Sequence, residues 1–193
     1  MANKNHEFRP DKSGSGLLSR LYLTRLQRLS ALKWLLYSLT VLILSVLQDV
    51  VLCDLYVYGA TTDLVPCAIL MVCVLEGVDN GSLFTLIAAL VYLFSGSSPG
   101  YHILVLLPVL GIGASIFRQS LLRKSFSATV LCAGVALILY ELIIFGMALF
   151  LNLTHPGRFS VALITWGLSF AVMPLLYPIL ASIGKIGGET WKE

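Results

Sequence analysis

Glu141 has the most chemistry available to it of any residue in this chain, because it stands midway along an apolar run between Leu139 and Ile143. An ionisable side chain at that depth in a hydrocarbon-spanning segment marks a functional candidate. No Lys or Arg occupies the core of any apolar run. A carboxyl so placed is expected to be protonated, with Thr85, Ser115 or Thr165 as its hydroxyl partner. Two roles stay open: an interhelical hydrogen bond, or a group that binds a proton or ligand. A second set consists of Gln48, Asp49, Asp54 and Asp63 near the ends of the first two apolar runs, joined by Tyr101, His102 and Arg158. These either rim an outward-facing cavity or are the solvated ends of helices.

Other chemistry is poorly represented. There is no HExxH, no Walker sequence and no pair of His at ligand spacing. His102 and His155 are expected to be hydrogen-bonded surface residues, with no metal and no cofactor bound. Cys53, Cys67, Cys73 and Cys132 match neither zinc nor CxxC spacing and behave as small hydrophobes. An enzyme is not expected.

The elements that must position these residues are membrane helices. At 58% hydrophobic and 12% charged, the chain departs far from the roughly 25% charged of soluble domains. Six apolar runs, at 34–53, 64–75, 83–94, 101–117, 128–151 and 160–183, predict an all-α polytopic protein, each crossing needing about 20 residues. Threading them as six transmembrane helices leaves Arg158 as the one cation outside, among thirteen Lys and Arg. Cations concentrate on cytoplasmic flanks, so both termini are placed in the cytoplasm, with the bacterial inner membrane as the location.

Residues 1–16 read as a flexible cytoplasmic tail. Residues 17–33 read as an amphipathic basic helix lying on the inner leaflet, with Arg20, Arg25, Arg28 and Lys33 toward anionic lipid. Residues 34–183 form the six-helix domain, and 184–193 a second cytoplasmic tail. The basic segment is interleaved with leucines and lies in no recognised nucleic-acid module. Membrane lipid is therefore its expected partner, and nucleic acid is not. The second and third runs are short enough for a re-entrant hairpin. Two full crossings are the preferred reading, because a hairpin would hold Glu76 and Asp79 near the bilayer interior. Pro174 and Pro178 are expected to kink the last helix.

Residues 59–117 carry three features in order: Asp63 with Leu64 opening a helix, Gly77 and Gly81 in an acidic turn, and Ser95, Gly96, Pro99, Gly100 and His102 in the next turn. In these the chain resembles the rod shape-determining protein MreD family. The resemblance covers about a third of the chain. It departs at Thr62, where the family usually has Pro, and at Tyr92, near where it usually has Asp. The resemblance implies a non-catalytic scaffold of the elongasome, which builds peptidoglycan and sets cell shape. Its implied partner is a bitopic MreC-like protein, and through it MreB, RodA and a class B penicillin-binding protein. It also implies a fold similar to the substrate-binding subunits of energy-coupling-factor vitamin transporters, which supplies the alternative of a solute-binding subunit. A partner helix needs only small residues and shape. Gly111, Gly113, Ala114 and Ser115 in the fourth run, with Gly134, Gly146 and Ala148 in the fifth, are the candidates.

Overall fold

A computed structural model describes residues 25–52, 54, 58–96, 98–121 and 125–186. The tail at 1–16, Arg20, Cys53 and most of the last tail lie outside the described residues. Six α-helices account for the rest: α1 (Arg25–Leu47), α2 (Leu64–Glu76), α3 (Val78–Ser95), α4 (Ile103–Leu121), α5 (Phe126–Phe150) and α6 (Phe159–Gly184). A π-helical turn, Gln48–Leu52, extends α1, and a 3₁₀ turn, Pro156–Arg158, leads into α6.

Five stretches are long and apolar enough to cross a membrane; α2 is shorter. Their outward faces are apolar. Leu42 and Ile43 on α1, Leu83 on α3, Val105 on α4, Val135 on α5 and Leu175 on α6 are each more than half exposed. Faces of this kind are stable where lipid or another apolar surface covers them.

α2 is the central helix. Leu64 to Val74 are all buried, and α2 touches every other α-helix. Its sequence has no polar stripe, as expected of a helix packed on all sides. Glycines set its distance from α3. Gly77, the single residue between them, has φ +91°, and a Cβ at Gly81 would stand 2.7 Å from the carbonyl oxygen of Cys73.

Two expectations are corrected here. The basic segment is not a separate helix ending at Lys33, since α1 runs unbroken from Arg25 with no Gly or Pro to stop it. Lys33 does not face lipid headgroups. It is 8% exposed, its Nζ lies 2.5 Å from Glu76 Oε2, and it approaches the Trp34 ring. Arg28 is exposed. The Tyr37 hydroxyl donates to Glu76 Oε1 at 2.8 Å and lies 3.2 Å from the Leu180 carbonyl. This polar clasp ties α1, α2 and α6 at the Glu76 end. α6 continues through both Pro174 and Pro178.

Candidate functional site

The length of α2 creates the site. Thirteen residues reach about 20 Å, whereas the 25 of α5 reach about 37 Å. The Glu76 end of α2 meets Lys33 in the first part of α1 and Gly184 at the end of α6, so α2 begins well inside the bundle. Its first residues would therefore carry unsatisfied N–H groups in an apolar interior. Side chains from other helices meet them. Ser169 Oγ of α6 accepts from the Asp63 amide at 2.8 Å, and Gln48 Oε1 accepts from the Val65 amide at 3.0 Å. The π-helical turn at the end of α1 carries Gln48, and irregular helix of this kind often accompanies functional positions.

Glu141 meets this start of α2. It is 8% exposed, and its carboxyl lies within hydrogen-bonding reach of the Asp63 carboxyl. Glu141 Oε1 has no hydrogen-bond partner among the described residues, and the Tyr140 hydroxyl lies beside that of Tyr92. Tyr140 and Tyr92, both fully buried, lie in the electrostatic field of the two carboxyls, and Asp49 acts on Tyr92. Three carboxyls, two phenols, an amide and a hydroxyl thus share one region. Such an acidic pair can hold a proton between its members.

Two of the three expected hydroxyl partners of Glu141 are employed elsewhere, and the third, Thr165, is buried on α6. Thr85 donates to the Gly81 carbonyl and Ser115 to the Cys73 carbonyl, each at 2.7 Å, in the half of the bundle nearer Glu76. Of the second candidate set, Gln48, Asp49 and Asp63 join Glu141. Asp54, Tyr101 and Arg158 are exposed. His102 is half-buried at the start of α4, with Nε2 unpartnered and its ring against Gly100.

Tyr92, Tyr140 and Ser169 were not singled out by sequence as site residues. A usable signal existed for the two tyrosines, since membrane tyrosines favour the interface and these stand inside apolar runs. The loop at 96–100 reads Gly-Ser-Ser-Pro-Gly, which has the spacing of a hydrolase nucleophile turn. That turn must follow a strand, and here α3 precedes it. Gly96 caps α3 in the left-handed conformation, φ +84°, which accounts for the turn glycine. Pro99 is exposed beside it.

The second candidate is a groove between α4 and α5. It encloses about 660 Å³ and is lined by Val109, Gly113, Ala114, Phe117, Val135 and Ala136, with further apolar side chains. A Cβ at Gly113 would meet nothing within 4 Å, so this glycine leaves a notch on an exposed face. The other small residues divide. Gly111 faces Cys73 inside the bundle, where a Cβ would come within 2.9 Å of Sγ, and Gly134 packs on Phe170. Those two glycines serve packing within the bundle rather than a seam with a partner. Ala114 lines the groove, and Gly146 is open.

Cys67, Cys73 and Cys132 are buried free thiols. Among the described residues no group of His, Cys, Asp and Glu could hold a metal ion. Fold and surface together define a polytopic helical membrane protein. No protein-family model, curated protein or solved structure matches the chain.

Proposed function

We propose that this chain is a non-catalytic integral membrane scaffold that receives the single membrane helix of a partner in the groove between α4 and α5. The observation that carries this reading is the groove itself. It is apolar throughout and notched at Gly113, and helix association in lipid depends on close van der Waals approach at small residues.

In the proposed arrangement the chain crosses a bacterial inner membrane six times with both termini cytoplasmic. The Glu76 end, where Lys33, Arg118 and Lys185 lie, faces the cytoplasm, and the end bearing Arg158 faces out. α2 counts as a crossing although short. Residues 61–63, which lead into it, lie at membrane depth, where irregular backbone is tolerated inside protein. Following the resemblance, the partner is an MreC-type bitopic protein of the cell-wall elongation machinery.

Affinity capture of the full chain from bacterial membranes in mild detergent, followed by mass analysis, tests the reading. The wild type is expected to bring down a single-span partner, and Gly113→Trp to lose it at an unchanged thermal midpoint, because the new side chain fills the groove without entering the bundle. Undiminished capture by Gly113→Trp would remove the groove from the account.

The polar region at the start of α2 favours a second reading, a solute-binding subunit of an energy-coupling-factor-type transporter. Ligand sites place a few polar groups among apolar ones, and Gln48, Asp63, Tyr92, Tyr140, Glu141 and Ser169 do so. A copurifying vitamin, or a pair of ATPase subunits in the same capture, would select it.

A further inference from the structure

We propose that the groove between α4 and α5 holds an acyl chain of an anionic phospholipid whose phosphate is bound by Arg118. The inference goes beyond the partner reading and does not rest on it: the lipid fills the groove of the free chain, and a partner helix displaces it.

Arg118 stands in the last turn of α4 and is 5% exposed. Among the described residues it makes no ion pair and no hydrogen bond. The nearest carboxylate in depth is Glu76. Ser115 Oγ reaches the Cys73 carbonyl at 2.7 Å, and three residues further along these two helices, which run in the same direction, come Arg118 and Glu76. Glu76 is already taken by Lys33 and Tyr37. A guanidinium does not lose its proton, and a buried charge without a counterion is strongly destabilising. An anion from outside the chain removes that imbalance.

The groove selects the kind of anion. Its lining runs from Val109 to Phe117 on α4 and from Leu131 to Leu139 on α5. Eight residues span about 12 Å along a helix, close to the roughly 15 Å of one leaflet in a hydrocarbon core of about 30 Å. The lined stretch stops beside Arg118, which follows Phe117 and stands one turn beyond Ala114, both in the lining. The Arg118 charge also acts on Cys132, which lines the groove from α5. The enclosed 660 Å³ lies within the range of small-molecule sites. A phosphate alone leaves the apolar groove empty, whereas a phospholipid matches both parts. Arginine binds phosphate through paired N–H donors, and basic pockets between membrane helices at the cytoplasmic side bind anionic headgroups. Lys185 caps α6 at this end, and Arg123 and Lys124 follow Arg118 in sequence. A headgroup that brings its own cation is therefore disfavoured against phosphatidylglycerol.

Native mass spectrometry of the purified full chain, released from vesicles of equal phosphatidylglycerol and phosphatidylethanolamine, tests this with no partner present. The wild type is expected to retain one phosphatidylglycerol in preference to phosphatidylethanolamine. Arg118→Gln is expected to retain about tenfold less, the effect of losing one charged hydrogen-bonding group. Gly113→Trp, which fills the groove and keeps Arg118, is expected to lose the lipid at an unchanged thermal midpoint. Added inorganic phosphate is expected to leave the lipid in place. If Arg118→Gln fails to fold, Arg118→Lys replaces it: the charge stays, the paired donors go, and retention is expected to fall below wild type. The proposal is overturned if the wild type retains both lipids equally, or if a folded Arg118 variant or Gly113→Trp retains as much as wild type. Displacement of the lipid by inorganic phosphate alone, or a copurifying protein in place of lipid, overturns it as well.

Discussion

Replacing Lys33 with Met leaves the Glu76 carboxylate buried without its cation, and losing one partner of a buried ion pair costs about 3–5 kcal/mol. The variant is therefore expected to melt well below wild type in detergent, while Lys33→Met/Glu76→Gln recovers most of the loss. Tyr37→Phe removes a hydrogen bond to the same carboxylate and is expected to cost roughly 1.5–3 kcal/mol. A double-mutant cycle between Tyr37 and Lys33 reads their coupling through Glu76. At this scale Glu141 was legible in sequence because a carboxyl in an apolar run is conspicuous whatever the fold. Its neighbour Asp63 was named as well, but the pairing was not. Residues far apart in the chain meet there only because α2 starts deep, and no local pattern encodes that depth. Lys33 was misread for a related reason: Arg25, Arg28 and Lys33 form a basic stripe resembling an interfacial helix, and only the position of Glu76 shows that one of them turns inward.

α2 and α3 approach as closely as their backbones allow. Gly81→Ala places a Cβ 2.7 Å from the Cys73 carbonyl, which no side-chain rotation relieves, and overpacking of this sort costs about 1–3 kcal/mol. Gly113→Ala meets open space on α4 and is expected to hold or raise stability by up to about 1 kcal/mol through helix propensity alone. Thermal midpoints of the two variants in one detergent check the contrast; equal destabilisation would mean that α4 is covered where the groove is drawn. The helical character of every apolar run could be read from composition. The ranking of the helices could not, because a run apolar on all sides reads alike whether it faces lipid or protein. The shortness of the second run, taken as ambiguity between a hairpin and two crossings, is the feature that makes α2 central and places polar side chains around its first turn.

For the whole molecule, the account depends on orientation: the clasp of Lys33, Tyr37 and Glu76 at the cytoplasmic surface, the carboxyl pair nearer the opposite one, and α2 and α3 crossing between. Cation placement made this reading available from sequence, since flanking Lys and Arg govern insertion, and the tails that complete it lie outside the described residues. The most direct measurement is membrane-impermeant thiol labelling of Asp79→Cys and Asn152→Cys, separately, in a chain otherwise free of cysteine and in intact cells. Asp79 lies in the first turn of α3 beside the clasp, and Asn152 follows α5 at the far end; both are exposed. The account predicts that Asn152→Cys labels from outside and that Asp79→Cys labels only after the membrane is opened. Labelling of Asp79→Cys in intact cells would contradict it.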